Sequence, residues 1–97
     1  MEVRIVILQR GWVMVGRYER DGFYGRLHQG AVIRNWGTSG DHRGLGYLAS
    51  HGPTEETHLE PCELPVEFQE LTTVASFICD QNIWDRTLDE LQKIFTR

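Results

Sequence analysis

The sequence of 97 residues predicts an α+β domain: a strongly bent antiparallel sheet or small open β-barrel of five or six strands, with a short internal helix and a C-terminal amphipathic helix. Three observations carry this. Short segments rich in β-branched residues, alternating apolar and polar, fill the first 36 positions and recur between residues 65 and 79. Between them lies a stretch crowded with glycine and proline, AVIRNWGTSGDHRGLGYLASHGPTEETHLEP over residues 31–61. After residue 82 the period lengthens to that of a helix, with Trp84, Leu88, Leu91 and Phe95 on one stripe.

VRIVIL over residues 3–8 reads as a first strand. Gln9, Arg10 and Gly11 interrupt it as a bulge or a tight turn, and WVMVGRY over 12–18 resumes as a second. The run Glu19-Arg20-Asp21-Gly22 signals a hairpin, because Asp-Gly readily supplies positive φ. A third strand is expected over 23–27, a break at His28, Gln29 and Gly30, and a fourth strand over 31–36. LGYLASH over 45–51 predicts a short helix packing through Tyr47 and Leu48, with Gly52 just past its C-cap and Pro53 forbidding continuation. Residues 59–66, bracketed by Pro61 and Pro65, read as an edge strand or an extended connection. Strands follow over 65–70 and 72–79, with a bulge near Leu71. The final helix spans about residues 82–95, capped by Asp80 or Asn82, and Trp84 and Trp12 are expected in the core.

The length allows one domain, residues 1–97, with one modest core. A net charge of −4 hides an asymmetry: residues 1–46 hold seven arginines against four acids, and residues 47–97 three bases against ten acids. That split fits an anion-binding face, or halves that neutralise each other within or between subunits. Overall acidity argues against non-specific DNA binding. Cys62 and Cys79 form no Cys-x-x-Cys pair and read as reduced structural thiols. With no leader-like opening and no apolar run long enough for a membrane span, a cytosolic protein is expected.

The chemistry concentrates after residue 33. Arg34, Trp36, Thr38, Ser39 and Arg43 fall among Gly37, Gly40, Gly44 and Gly46. Arginine forks and hydroxyls suit phosphate oxygens, glycine lets backbone N–H groups approach an anion, and an indole can stack a base. Glycines also simply permit a mobile surface loop, and Trp36 also suits a core. The stretch lacks the Gly-Lys-Ser/Thr of a P-loop and the G-x-G-x-x-G of a dinucleotide site. His28, His42, His51, His58 and Cys62 lack the spacing of a zinc site, and Ser39, Asp41 and His42 are too close in sequence for a triad. No metal, no cofactor and no catalysis are expected.

The pieces Trp36-Gly37-Thr38, Gly44-Leu45-Gly46-x-Leu48-Ala49, Gly52-Pro53-Thr54 and Leu59-x-Pro61, with the opening VRIVILQRGWVMVGRY, resemble a family of small uncharacterised proteins of phages and of bacteria carrying mobile elements, a domain of unknown function. The resemblance covers roughly residues 3–80. It implies a phage context, in which a small protein acts on the host, and supplies no activity or catalytic residue. The expected function is therefore a non-enzymatic binder that sequesters an anionic, nucleotide-like ligand, such as a defence signal of the host, through Arg34, Trp36, Thr38, Ser39 and Arg43. The alternative is a protein-interaction module that inhibits a host protein through its surface. A homo-oligomer, a dimer first of all, is expected from the charge split and from the apolar stripe of the last helix.

Overall fold

The computed structural model describes residues 1–37 and 44–96. In chain order the elements are β1 (Val3–Leu8), β2 (Trp12–Asp21), β3 (Tyr24–Asn35), α1 (Gly44–His51), β4 (His58–Pro61), β5 (Val66–Gln69), β6 (Thr73–Ile78) and α2 (Gln81–Gln92). Single 3₁₀ turns occupy Gln9–Gly11, Glu70–Thr72 and Lys93–Phe95. The strands form one antiparallel sheet in the order β4-β3-β2-β1-β6, with β5 pairing β3 beyond β4. An α+β fold with an internal and a C-terminal helix is what the alternating and helical periods predict.

The break expected at His28–Gly30 is absent: one strand runs through it, so the first 36 residues hold three strands rather than four. The chain absorbs the interruption as a bulge. Pairing with β2 slips by one residue between Val15 and Arg17, and Gln29 takes a positive φ of 51°. The strands pass closely there, because a Cβ on Gly16 would lie 2.9 Å from the Leu27 Cβ and 3.0 Å from the Gly30 Cα. Similarly, the bulge expected near Leu71 is the 3₁₀ turn Glu70–Thr72.

Alternation puts apolar side chains on both faces of the sheet. On one face Val3, Ile5, Val15, Ala31 and Ile33 pack with Leu45, Leu48 and Ala49 of α1 and with Trp84 and Leu88 of α2. On the other, Val6, Met14, Leu27 and Phe68 form a smaller cluster with no helix over it. The two helices are locked together by Trp84, fully buried, whose indole N–H donates to the carbonyls of Leu48 and Ala49 at 3.1 Å each. Asp80 caps α2 by accepting from the Ile83 N–H at 3.0 Å. Gly52 ends α1 with φ +83° and donates to the Leu48 carbonyl at 2.9 Å, the left-handed stop that glycine makes cheap.

Two details differ from expectation. The packing side of α1 is Leu45, Leu48 and Ala49, whereas Tyr47 is half-buried and stacks on His51 with ring centroids 4.1 Å apart. Trp12 is 50% exposed rather than core, because it begins β2 directly after a turn with nothing layered over it. The basic front half meets the acidic back half within the chain. Arg17 binds Asp85 and, at 3.3 Å, Asp89; Arg26 reaches Glu67 at 3.0 Å; Arg34 reaches Glu60 at 2.8 Å. Among the described residues no helix is long and apolar enough to cross a membrane.

Candidate anion-binding site

The turn between β1 and β2 and the end of β3 lie side by side and enclose a cleft of about 300 Å³. Its walls are Arg10, Gly11, Trp12 and Val13 on one side and Val32, Ile33 and Arg34 on the other. Leu8 pairs directly with Trp12, so residues 9–11 form a tight turn and not a bulge. Closing it in three residues places Arg10 at φ 68° and Gly11 at φ 81°. The left-handed region costs arginine about 1 kcal/mol or more that glycine would avoid, and such strain tends to collect at functional positions.

The charges in the cleft differ in how far they are committed. Arg10 is exposed and makes no ion pair among the described residues. Arg34 donates from Nε to Glu60 Oε1 at 2.8 Å, and His58 Nε2 lies 4.0 Å from the same oxygen. This pair is open to water, with the side chains 55% and 47% exposed, so its net worth is small and it yields readily to a competing anion. Trp12 supplies a half-exposed indole on the same wall. Two guanidinium groups, one unpaired and one loosely paired, beside an aromatic face form an arrangement suited to a phosphate-bearing ring.

Of the residues expected to bind ligand, Arg34 lines this cleft and Trp36, 38% exposed, stands just past the end of the same strand without lining it. Thr38, Ser39 and Arg43 lie outside the described residues. The start of their loop is firmly held. Thr57 Oγ1 donates to the Trp36 carbonyl at 2.7 Å and accepts from the Thr54 N–H at 2.9 Å, while Thr54 Oγ1 donates to the Gly37 carbonyl at 2.8 Å. Gly37, at φ 73°, is wedged against both threonines, where an added Cβ would come within 2.6 Å of their hydroxyl oxygens. The turn after Pro53 therefore anchors the loop entrance.

Sequence reasoning missed Arg10 and Trp12. Their signal was the Arg-Gly pair in a three-residue link between two strands, which exposes whatever follows it.

Other reactive groups are occupied by structure. Burial pushes the Cys79 thiol up to about 12 and raises that of Cys62, so both stay protonated near neutrality. Glu19 is held below its ordinary carboxyl value chiefly by its hydrogen bond with His28, whose Nε2 lies 2.8 Å away. Tyr18 is raised first by desolvation and then by its hydrogen bond to Glu70. Among the described residues no three His, Cys, Asp or Glu side chains converge as a metal site would require. Comparison with models of protein families gives no match, and comparison with curated proteins gives none either.

Proposed function

We propose that the protein is a small non-enzymatic binder of an anionic, nucleotide-like ligand, held in the cleft between the Gln9–Gly11 turn and the end of β3. The observation that carries this is Arg10, which makes no ion pair among the described residues and is strained at φ 68°, across the cleft from Arg34 and beside the half-exposed Trp12. Arg10 and Arg34 take phosphate oxygens and Trp12 stacks the base. Trp36 sits at the rim, and Thr38, Ser39 and Arg43 are proposed as a second arm on sequence grounds alone. The likeness to phage-borne proteins sets such capture in the context of host defence signals. Calorimetry against a panel of cyclic and linear nucleotides tests the reading: heat that disappears in Arg10→Ala supports it, and no heat with any nucleotide removes it.

The reading takes the sheet to be rolled into a small open barrel, which lets the cleft form at one end. The length of the link between β5 and β6 supports this. Gln69 pairs with Tyr24 on β3 and Thr73 with Leu8 on β1. On a flat sheet β5 and β6 would stand four strand spacings apart, ~19 Å, and offset along the strands by ~30 Å. The link Glu70–Thr72 spans at most ~14 Å.

A second reading, a module that inhibits a host protein through its surface, is favoured by one observation. Phe23 is 79% and Leu71 85% exposed, and the Phe23 carbonyl accepts from the Glu70 N–H at 2.8 Å, which brings these apolar side chains to the same end of the molecule. Loss of partner binding in Phe23→Ser, with nucleotide binding absent in the wild type, would select it.

A further inference from the structure

β6 is the last strand of the sheet, and β1 is the only strand paired with it among the described residues. Such edges are ordinarily blunted by charge, proline, a bulge or a cover. Apart from a register shift at its start, opposite Leu8, the strand TVASFI has none of these among the described residues: it carries no charged residue and no proline, and Val74, Ala75, Ser76 and Ile78 are exposed. Val74 is 68% and Ile78 65% exposed on the face away from the helices, whereas Phe77 turns inward to pack beneath α1 and α2.

The main chain fixes how another strand could add. The Cys79 N–H donates to the Val3 carbonyl at 3.0 Å. Hydrogen-bonded positions alternate along an antiparallel ladder, so residues 79, 77 and 75 aim their main-chain groups at β1 while 78 and 76 aim theirs outward, up to the register shift at Val74. Directly opposed residues of an antiparallel pair share a face, so two copies related by a two-fold axis must pair residues of equal parity. Any two-fold through a residue of the strand meets that rule, and the one through Ser76 overlaps residues 74–78 in full. It sets Ser76 against the Ser76 of the second copy and Val74 against its Ile78, so the two exposed apolar side chains of each strand cover those of the other.

We propose that β6 is a self-pairing edge through which two copies of this chain join into one continuous sheet about a two-fold axis at Ser76. The choice of a second copy over a foreign strand rests on the match of exposed Val74 to exposed Ile78 across that axis and on the absence of charge in the strand. A six-residue strand buries less than the ~1,200 Å² of a standard interface, so the dimer is weak and reversible. Two bodies of net charge −4 repel, so added salt strengthens it.

Sedimentation velocity of the full chain over increasing concentration is the test, with Ser76→Pro, Ile78→Lys, and Ser76→Cys in a Cys62→Ser background. Proline at 76 removes only an outward N–H, which an edge strand tolerates. The wild type is expected to dimerise reversibly and more tightly in salt, and Ser76→Pro and Ile78→Lys to weaken dimerisation about tenfold or more with unchanged circular dichroism. Ser76→Cys is expected to give a disulfide-linked dimer under mild oxidation, since a hydrogen-bonded pair sets Cα atoms ~5.5 Å apart, within disulfide reach. A wild type that stays monomeric at every concentration overturns the proposal, as does a dimer indifferent to Ile78→Lys, the exposed substitution that decides should the proline variant fail to fold.

Discussion

Arg34 donates from Nε to Glu60 Oε1 at 2.8 Å across the β3–β4 pair, at the mouth of the cleft that also holds Arg10. The proposed site thus contains its own competitor, a carboxylate that an incoming anion must displace. Because both side chains are about half exposed, the pair is worth roughly 0.2–1 kcal/mol. Glu60→Gln is therefore expected to raise affinity for an anionic ligand by up to about fivefold while leaving the melting temperature nearly unchanged. Calorimetry paired with a thermal melt checks both parts.

Among the described residues Arg10 makes no ion pair, so its removal separates binding from folding. Arg10→Ala is expected to weaken binding by about 1.5–3 kcal/mol, the range for a hydrogen bond to a charged group, with stability unaltered within about 0.5 kcal/mol. Trp12→Ala is expected to cost about 1–3 kcal/mol of binding through lost stacking, and Trp36→Ala less, since Trp36 does not line the cleft. Titration of the three variants with the same nucleotide gives the ranking.

Gly37 is pinned between Thr54 and Thr57. Its φ of 73° and the crowding by Thr54 and Thr57 together make Gly37→Ala costly, by about 2 kcal/mol or more, since the left-handed backbone and the overlap both count against a side chain. Thr57→Val, which deletes one hydrogen bond to the Trp36 carbonyl and one from the Thr54 N–H, is expected to cost about 1–2 kcal/mol. Urea denaturation of each variant measures the loss.

Acid stability offers a separate check on the chain's internal charge pairing. The hydrogen bond from Arg17 is the main cause that lowers the Asp85 carboxyl below its ordinary value. A group depressed in the folded state contributes stability that is complete above its unfolded value, near 3.9, and is lost as the pH falls through the folded value. Melting temperature is therefore expected to hold from neutrality to about pH 4 and to drop below it. Asp85→Asn should start lower at pH 7 and lose less in acid.

Much of the fold was legible because the signals were local. The alternation of VRIVIL, the Asp-Gly turn, Gly52 with Pro53, and the stripe of Trp84 and Leu88 each act within a few residues. What escaped depended on neighbours far away in sequence. The bulge at Gln29 keeps β3 whole only because β2 supplies Gly16 opposite it, and Trp12 is exposed only because both helices pack on the opposite face. The site was half legible for the same reason: Arg34 stood out among glycines, whereas Arg10 reaches it only once β1 and β2 fold back.

An anionic ligand is proposed to occupy the cleft between the Gln9–Gly11 turn and the end of β3. Amide chemical-shift mapping of the isotopically labelled protein during titration with ADP tests it most directly. Saturable shifts are expected at residues 10–13 and 32–37, with the hairpin tip at Phe23 and the edge at Ser76 undisturbed. Saturable shifts clustered at Phe23 and Leu71 instead, or none at all across the cleft, would contradict it.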